Sequence, residues 1–583
     1  MINLSGNGPS KDFLRDLGLP FVGPKRIFSL RYAFVASLLV LLYLYSRVHP
    51  SQGDTAFTPW SSPTAHSVQY NAKATHRASD EDAPRAKKVV ETMRQTFAKY
   101  RARAWGRDDI LPVSGGFGSS RNDWGAFIVD SSTTLALMGL WDEFQLEIDF
   151  IINDVDFTTS TELVDPFETT IRYLGALTSV IEMFDYNVIP AIDRRQERRD
   201  RILAQAVTLA AKLGPGFDSP TGMPWHRVDF NRSVPRGDPP QNDDTNPVKP
   251  QTWLPPAVGC ARAGSNILEY STLSKITGNN VYLQNATRSW APLVWNKNKE
   301  VWPGIVDAPI DIWTGEPRGR TRSWDASHDS YYEYLLKQYI IDPRAKHAVV
   351  YRDRWIQAVT SLRAHMASIA MPTPGTKESY AYLGYWDNDT FVNAMSHFAC
   401  FAAGNIMLGA RHLGRDDFFQ FGLDLLDGCR HLYHSSPTSI GPEVVHWMPV
   451  STYPNATYPP IQNLARAQLV KHGFWASRPT YRLRPEYVES VFYAWRLTGD
   501  PKYRAWAWEA YMAIVHLAQA EHGWAAVADV MVEASRVQLH DSSQSFWSAE
   551  TLKYIYLIFA DSSVGNLDEW VFSTEAHPFR IRG

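Results

Sequence analysis

Along most of the chain after residue 86, apolar residues recur three and four positions apart, with polar residues between them. That spacing places the apolar residues on one face of an α-helix, whereas the alternation typical of half-buried strands is scarce. We therefore predict an all-α protein. The pattern indicates helices over residues 86–100, 131–152, 167–183, 196–213, 267–276, 330–341, 347–366, 391–413, 418–433, 485–497, 503–518 and 545–559.

A short helix-turn-helix motif occurs twice. Residues 273–282 (LSKITGNNVY) and 494–503 (AWRLTGDPKY) each end one helix at a glycine and begin the next near an Asn or Asp cap. Repeated helical hairpins predict one large domain, instead of the roughly four domains that 583 residues would otherwise suggest. Such hairpins either close into a ring or extend as an open α-solenoid.

The N-terminal part contains one long apolar stretch. Residues 27–46 carry a single charge, Arg31, and at ~1.5 Å per residue they could cross a ~30 Å hydrocarbon layer. No small residues follow the stretch as they would at a signal-peptide cleavage site, which favours an uncleaved anchor. Basic residues precede it, so we predict a single-pass type II protein. Its predicted parts are a cytosolic tail (1–26), a transmembrane signal anchor (27–46), a lumenal stem (47–85) and a large helical domain (86–583).

Composition narrows the possible functions. The net charge is −3, so the chain lacks the basic excess of a protein that binds nucleic acid. It contains 21 Trp and 27 Tyr, which are aromatic residues with a polar group. In a lumenal protein, glycan acceptor sequons would be available at Asn231, Asn285, Asn388 and Asn455. Three cysteines, Cys260, Cys400 and Cys429, allow at most one internal disulfide.

Acidic residues stand beside aromatic residues at the predicted starts of four helices. A single acidic residue there is usually a helix cap that complements the helix dipole. Four such segments with aromatic neighbours are better explained by a shared cavity. Carboxylates with aromatic walls favour glycoside hydrolysis, in which one carboxyl protonates the leaving oxygen and another activates water or attacks carbon. The segments are Pro166-Phe-Glu168, Asp329-Ser-Tyr-Tyr-Glu333, Arg484-Pro-Glu486-Tyr-Val-Glu489 and Ser545-Phe-Trp-Ser-Ala-Glu550.

The same segments carry a family resemblance. Together with further motifs they are similar to the class I α-1,2-mannosidases, glycoside hydrolase family 47. The resemblance is co-linear from about residue 100 to residue 578. The further motifs are Ala104-Trp-Gly106, Met395-Ser-His-Phe-Ala-Cys-Phe401, Ala549-Glu-Thr-Leu-Lys-Tyr554 and Ser573-Thr-Glu-Ala-His-Pro578.

The resemblance implies a fold and an activity. Members of this family form an (α/α)7 barrel, hold one Ca²⁺ at its base, and remove α-1,2-linked mannose from high-mannose N-glycans with inversion. The large helical domain is then a catalytic barrel. By this resemblance, Glu168 is the general acid, acting through a water, and Asp329 and Glu486 are two candidates for the base.

The resemblance also assigns binding residues. Thr574 would bind Ca²⁺ through its hydroxyl and carbonyl oxygens, and nearby carboxylates such as Glu489 would hold the remaining water ligands. An oxygen-only site suits Ca²⁺, and the sequence contains no Cys/His cluster at zinc spacing. Cys400 and Cys429 match the family's disulfide, and Cys260 is additional. The residues matched to substrate binding are Arg172, His397, Arg484, Phe546, Glu550 and Glu575.

Three positions depart from the family pattern. Arg262 and Thr133 replace acidic residues, and Ser327 stands where the endoplasmic-reticulum enzyme is expected to have Arg. A cation near the acid would lower its pKa, so activity could be reduced or altered. The main prediction is a calcium-dependent α-1,2-mannosidase of the endoplasmic reticulum or Golgi membrane. The alternatives are a mannose-binding, weakly active quality-control protein of glycoprotein degradation on the same barrel, and a non-enzymatic α-solenoid scaffold.

Overall fold

The computed structural model describes residues 67–70, 81–237, 256–296, 300–370, 378–450 and 463–582. These residues belong to one compact unit, Ser67–Gly583. The predicted cytosolic tail and transmembrane anchor lie outside the described residues, as does most of the predicted stem. No helix within the described ranges combines the length and apolar character needed to span a membrane.

Helices make up most of the domain, as the sequence predicts. Two of them, α5 and α17, are each preceded by a π-helical turn, Thr170–Leu174 and Trp547–Thr551. The α-helices are α1 Asp82–Ala104, α2 Ala126–Leu137, α3 Trp141–Asn153, α4 Pro166–Thr169, α5 Gly175–Asp185, α6 Arg195–Leu213, α7 Cys260–Gly264, α8 Ile267–Thr277, α9 Val281–Val294, α10 Asp329–Ile341, α11 Ala348–His365, α12 Phe401–Leu413, α13 Asp416–Ser435, α14 Asn463–His472, α15 Glu486–Thr498, α16 Lys502–Leu517 and α17 Leu552–Phe559.

Seven inner helices form a closed ring. In the order α2, α5, α8, α10, α12, α15 and α17, each contacts the next, and α17 contacts α2. Each inner helix also packs against an outer partner, respectively α3, α6, α9, α11, α13, α16 and α1. This closure is incompatible with the open solenoid and gives the barrel arrangement that the family resemblance implies.

The two ends of the barrel differ. Short turns join every inner helix except α17 to its outer partner at one end, which we call the turn face. Long connections return from an outer helix to the next inner helix at the other end, the loop face. Because α1 is the first helix and pairs with α17, the last, the beginning and end of the domain close the ring together.

Short antiparallel strands fill the connections and are the main departure from the all-α prediction. The largest sheet has five strands in the order β11-β10-β7-β6-β5. The strands are too short for an alternating pattern to be distinctive. They are β1 Asp109–Leu111, β2 Gly116–Gly118, β3 Arg227–Asp229, β4 Val234–Arg236, β5 Ala257–Val258, β6 Ala308–Asp311, β7 Pro317–Arg322, β8 Ala367–Ile369, β9 Ala381–Leu383, β10 Tyr385–Asp387, β11 Thr390–Val392, β12 Ala394–Ser396, β13 Val444–Trp447, β14 Phe474–Arg478, β15 Gln519–Ala520, β16 Gly523–Trp524, β17 Ala526–Val527, β18 Leu539–His540, β19 Trp570–Phe572 and β20 Pro578–Arg580.

Two predicted helices are divided in the structure. The predicted helix over 131–152 breaks into α2 and α3 at Gly139, whose φ of 70° lies in the left-handed region that favours glycine. The predicted helix over 391–413 begins only at Phe401, after β11, β12 and a 3₁₀ turn, His397–Cys400. Helix α9 is not among the helices that the periodicity indicates, but it begins directly after Asn280, where the helix-turn-helix motif over 273–282 predicts a helix start. Pro292 lies inside it.

The C-terminal hairpin of β19 and β20 lies inside the ring of helices. Phe572 and Phe579 are fully buried, and the strands contact the inner helices α10 and α5. The Ser179 hydroxyl donates to the Pro578 carbonyl at 2.6 Å. The tip of the hairpin, Ser573–His577, therefore closes the barrel centre from within.

Residues 67–70, which we call the N-terminal clasp, dock on the turn face. Gln69 is 3% exposed. Its Oε1 accepts hydrogen bonds from Arg496 Nη1 at 3.0 Å and the Leu567 amide at 3.2 Å, and its Nε2 donates to the Ser562 carbonyl at 3.0 Å. The Val68 amide donates to Asp568 Oδ1 at 2.7 Å. These contacts lie beyond the C-terminal ends of the inner helices α15 and α17.

A disulfide joins Cys400, at the start of α12, to Cys429 in α13, as the resemblance implies. The third cysteine, Cys260, is free and buried. The bond closes a loop with a sequence separation of 29 residues within one helical hairpin.

Replacing both bonded cysteines, Cys400→Ala and Cys429→Ala together, should lower the free energy of unfolding by about 2–4 kcal/mol, because the unfolded chain gains loop entropy. Denaturant unfolding under non-reducing conditions measures this change. Reduction should lower the stability of the wild-type chain but leave that of the double variant unchanged. Equal stability of the oxidised wild type and the double variant would contradict a stabilising bond.

Candidate active site

A cavity of about 360 Å³ lies where the inner helices begin at the loop face. Its walls bring together residues that are up to four hundred positions apart, which the sequence grouped only by motif. Every predicted catalytic residue lines it, as do the predicted metal ligand and most of the predicted substrate-binding residues. These lining residues are Glu168, Asp329, Glu486, Arg172, Arg484, Phe546, Glu550, Glu575 and Thr574, together with the water-holding candidate Glu489.

Two of these side chains project from π-helical turns. Arg172 lies in Thr170–Leu174 and Glu550 in Trp547–Thr551. A π turn inserts one extra residue per turn and so changes the direction in which a side chain points, and such turns occur often at functional sites. Both turns here stand at the cavity ends of inner helices. The periodicity of the sequence does not reveal them.

The guanidinium of Arg172 is the centre of a buried ionic network. Its Nε lies 2.9 Å from Glu168 Oε2. Its Nη1 lies 2.5 Å from Glu575 Oε2 and 3.1 Å from Asp130 Oδ2. Asp130 also accepts a hydrogen bond from the Ser545 hydroxyl at 2.5 Å. One cation thus holds three carboxylates from α2, α4 and the C-terminal hairpin.

Glu168 lies between two arginines. Arg121 Nη2 is 3.2 Å from the same oxygen, Oε2, that Arg172 contacts. Burial alone would raise the pKa of Glu168, but the charges of Arg172 and Arg121 outweigh it and lower that pKa to about 2. At neutral pH the carboxyl is therefore ionised.

Glu486 is held by a histidine behind the cavity wall. His397 Nδ1 lies 2.7 Å from Glu486 Oε2, and its Nε2 lies 2.7 Å from the Tyr433 hydroxyl. Burial raises the pKa of Glu486, but the His397 hydrogen bond and charge, with the charge of Arg484, bring it below its usual value. His397 is not among the lining residues, so it lies behind Glu486 and not at the cavity surface.

Asp329 has the opposite electrostatic environment. Its Oδ1 accepts a hydrogen bond from the Ser330 amide at 2.9 Å. Within the described residues, no arginine or lysine forms an ion pair with it. Burial, followed by the charges of Asp325, Glu333 and Glu486, raises the pKa of Asp329 to about 8. Asp329 is therefore protonated at neutral pH, while Glu168 and Glu486 are ionised.

An aromatic ring, that of Phe546, lies near the guanidinium groups of Arg172 and Arg484. Phe546 is 8% exposed, and its ring centroid is 5.9 Å from the Arg172 guanidinium and 5.7 Å from that of Arg484. Arg484 is fixed by Glu443, whose carboxylate oxygens accept from its Nε at 2.7 and 2.9 Å. The arrangement offers a flat apolar surface flanked by hydrogen-bond donors, which suits a sugar ring.

The cavity floor is acidic. Thr574, at the tip of the C-terminal hairpin, is surrounded in the cavity lining by Glu333, Glu489, Glu550 and Glu575. Burial raises the pKa of Glu550 well above its usual value, and the charges of Glu575 and Glu486 raise it further. Among the described residues, Lys337 pairs with Glu333 and Glu489, and Arg172 pairs with Glu575.

These donors fit a hard cation such as Ca²⁺, because they are all oxygens and carry a large excess of negative charge. Within the described ranges, no group of three or more His, Cys, Asp and Glu side chains converges to ligate one metal ion directly.

Three residues beside the cavity have left-handed backbone conformations. Ser327, Leu483 and Ala576 adopt φ values of 77°, 65° and 57°. Left-handed conformations in residues other than glycine cost on the order of 1–3 kcal/mol and cluster at functional sites. Each residue stands within two positions of a cavity side chain, respectively Asp329, Arg484 and Glu575. The strained backbone thus lies directly beside side chains that line the cavity.

Arg262, one of the departures, lines the cavity but does not pair with Glu168. Its Nη1 lies 2.6 Å from Asp165 Oδ1, and Asp165 caps α4 by accepting from the Phe167 amide at 2.9 Å. The largest cationic effects on Glu168 come from Arg172 and Arg121. Thr133, the second departure, is fully buried and accepts a hydrogen bond from Lys553 Nζ at 2.9 Å.

Several cavity residues are not among the site residues that the sequence predicts. Arg121 and Gln544 lie in connections without a helical pattern, and Phe398 follows His397 in a 3₁₀ turn. The role of Glu443 in fixing Arg484 is also absent from the sequence prediction, because the two residues meet only in the folded structure. No local signal in the sequence distinguishes these residues.

Comparison with known proteins decides the family. The model of glycosyl hydrolase family 47 matches residues 92–581. The chain belongs to this family. The mannosyl-oligosaccharide alpha-1,2-mannosidase 1B of Aspergillus phoenicis is 34% identical over 513 residues, covering 87% of this chain and 93% of that protein. The mannosyl-oligosaccharide alpha-1,2-mannosidase of Penicillium citrinum is 32% identical over 551 residues, covering 93% and 98%.

The fold agrees with this membership. The solved structure of the alpha-1,2-mannosidase from Trichoderma reesei matches with a TM-score of 0.77 and 32% sequence identity, and it covers 86% of this chain and 99% of that one. The family 47 fold is therefore shared over nearly all of the described domain.

Replacing His397 by Ala should raise the pKa of Glu486, because burial remains while the hydrogen bond and charge that lower it are lost. A base is inactive when protonated, so the acidic limb of the kcat/KM profile should move to higher pH, by about one unit or more. A profile measured between pH 3 and 8 tests this. Tyr433→Phe, which alters only the other side of the imidazole, is the matched control. An unmoved acidic limb would exclude Glu486 as the group that titrates there.

Proposed function

We propose that this chain removes terminal α-1,2-linked mannose from high-mannose N-glycans by calcium-dependent hydrolysis with inversion. The observation that carries the proposal is the single cavity in which Glu168, Asp329 and Glu486 stand above the oxygen-rich floor at Thr574. The relatives support it, since they are named mannosyl-oligosaccharide alpha-1,2-mannosidases.

Glu486 is the proposed base. Its depressed pKa keeps it ionised over the range in which Asp329 is protonated. In an inverting reaction the base removes a proton from the attacking water while the acid protonates the departing oxygen. His397 orients the Glu486 carboxylate and stabilises its charge, so it acts as a positioning residue.

Two carboxyls are candidates for the proton donor. Family resemblance assigns the role to Glu168, acting through a water, and we keep it as the first candidate. The raised pKa of Asp329 favours Asp329 as the second, because it already holds a proton at neutral pH. For Glu168 to donate, a proton has to reach the water beside it despite Arg172 and Arg121.

Calcium is the proposed cofactor at the floor. Thr574 would bind it, with Glu489, Glu550 and Glu575 holding its water ligands. When bound, Ca²⁺ would bind sugar hydroxyls and offset the negative charge of the floor. Arg172, Arg484 and Phe546 form the wall against which the sugar ring would be held.

A secretory location is proposed from the sequence alone. The apolar stretch 27–46 and the preceding basic residues support a type II anchor in the endoplasmic reticulum or Golgi membrane. Of the four sequons, Asn231 and Asn388 are exposed and available for glycosylation, and Asn455 lies outside the described residues.

The alternative of a mannose-binding protein with little turnover is less favoured. Arg262 pairs with Asp165 and not with Glu168, and the three carboxyls remain in the cavity. The Cys400–Cys429 bond, which matches the disulfide of the family, is present. Both observations favour an active hydrolase.

A nine-mannose N-glycan incubated with the wild-type domain should lose α-1,2-linked mannose, as chromatographic profiling would show. Glu168→Gln should slow this by at least about 100-fold, because general acid catalysis contributes at least that much. α-Mannosyl fluoride, whose leaving group needs no protonation, identifies the donor. If Glu168 is the acid, Glu168→Gln should recover turnover of the fluoride, and if Asp329 is the acid, Asp329→Asn should do so. Glu486→Gln should remain inactive in either case. Glycan binding without trimming would support the quality-control alternative.

Removal of Ca²⁺ by EDTA should abolish mannose release and lower the melting temperature, because the floor carboxylates then repel one another without a cation. Thr574→Val should weaken calorimetrically measured Ca²⁺ binding, and Thr551→Val, a buried threonine outside the cavity lining, is the control. Restoration by Ca²⁺ but not Mg²⁺ is expected, since the site keeps many oxygen ligands. Undiminished activity after thorough chelation would refute the metal assignment.

A further inference from the structure

Two tryptophans form a partly exposed pair on the connections of the loop face. Trp225 precedes β3, and Trp313 lies in the turn between β6 and β7. Their ring centroids are 6.1 Å apart at an interplanar angle of 78°. Trp313 is 45% exposed, which is unusual for so large an apolar ring and often marks a ligand-binding surface.

The backbone around both rings is fixed. The Asp311 carboxylate accepts hydrogen bonds from the amides of Trp313 at 2.7 Å and Thr314 at 3.3 Å. Arg318 Nη2 pairs with the same carboxylate at 2.6 Å. Trp225 Nε1 donates to the Asp218 carbonyl at 2.9 Å. A surface ordered in advance loses little conformational entropy when it binds a ligand.

A chain of ionic contacts links this pair to the reaction cavity. Arg227, two residues after Trp225, pairs with Asp165. Asp165 pairs in turn with Arg262, which lines the cavity. The neighbouring His226 places its Nε2 3.1 Å from the Ala257 carbonyl, in the strand that leads into the cavity wall. Trp225 is thus two residues from Arg227, which is connected to the cavity lining through Asp165, and Trp313 packs against Trp225.

A second cavity, of about 540 Å³, adjoins the reaction cavity. It shares Arg121, Glu168 and Gln544 with the reaction cavity and extends to Arg227. Its other polar lining residues include Asn122, Glu162 and Asp165. Hydroxyl-rich ligands suit such a surface, because each hydroxyl can both donate and accept a hydrogen bond.

We propose that Trp225 and Trp313 bind a second sugar residue of the same oligosaccharide whose terminal mannose occupies the reaction cavity. The C–H-rich face of a pyranose would stack on the exposed indole, and the hydroxyls of the intervening sugars would lie along the second cavity. This inference rests on the proposed function and specifies its substrate class as branched oligosaccharides longer than a disaccharide.

A sugar fits this surface better than a protein partner does. Stable protein interfaces bury about 800 Å² on each partner around a broad core of apolar residues. Here the exposed ring of Trp313 is flanked by the polar residues Thr314 and Glu316, and the route to the cavity is lined by charged groups.

Trp313→Ala should raise KM for a nine-mannose N-glycan by about 5–10-fold, the fold-change expected for losing one aromatic contact of about 1–1.5 kcal/mol. Its kcat should stay within about twofold, and its kinetics on the disaccharide mannose-α-1,2-mannose should not change, because that substrate is too short to reach the pair. Trp313→Tyr should restore most of the affinity. Equal losses on both substrates, or none on either, would overturn the proposal.

Tyr186→Ala is the matched control. Tyr186 is 42% exposed and forms an edge-on pair with Trp570 at 6.1 Å, but it follows the far end of α5, on the turn face. It should leave both substrates unaffected. If the wild type cleaved neither substrate, the proposed function would fail, and calorimetric titration of the glycan into the Glu168→Gln and Glu168→Gln/Trp313→Ala variants would still decide the sugar site. Equal affinities there would contradict it.

Discussion

The site depends on one buried guanidinium. Arg172 joins Glu168, Asp130 and Glu575, which come from two inner helices and from the hairpin inside the ring. Leaving Asp130 or Glu575 unpaired in the interior would cost several kcal/mol. The same cation therefore holds the hairpin tip against the helices, lowers the pKa of Glu168 and forms part of the cavity wall. The shape of the cavity, the charge of Glu168 and the closure of the barrel all depend on it.

Electrostatic asymmetry follows from where the cations are placed. Arg172 and Arg121 stand beside Glu168, and His397 and Arg484 stand beside Glu486. Asp329, in contrast, is affected mainly by burial and by the charges of neighbouring acidic residues. Three carboxyls in one cavity consequently differ in charge at the same pH. Acid and base roles need such a difference, and here it arises from ion-pair geometry and not from residue type.

Much of the fold could be predicted from the sequence because helix periodicity is a local property. The predicted helix over 196–213 and the observed α6, Arg195–Leu213, agree within one residue. The sequence motifs identify most of the cavity residues, and the structure places these residues around one cavity. The π-helical turns around Arg172 and Glu550 could not be predicted, since packing against neighbouring helices produces them. Likewise, Arg121 reaches Glu168 only because a connection folds back, and His397 lies behind Glu486 because a predicted helix gives way to strands.

The N-terminal clasp provides an attachment point on the turn face of the barrel, whereas the cavity lies at the loop face. Gln69 satisfies part of the buried Arg496 guanidinium beyond the ends of α15 and α17, whereas the cavity opens where those helices begin. A domain that starts at Ser67 and is coupled to a solid support through its first residue would keep its opening directed into solution. Large substrates could then reach the cavity without steric obstruction from the surface that holds the enzyme.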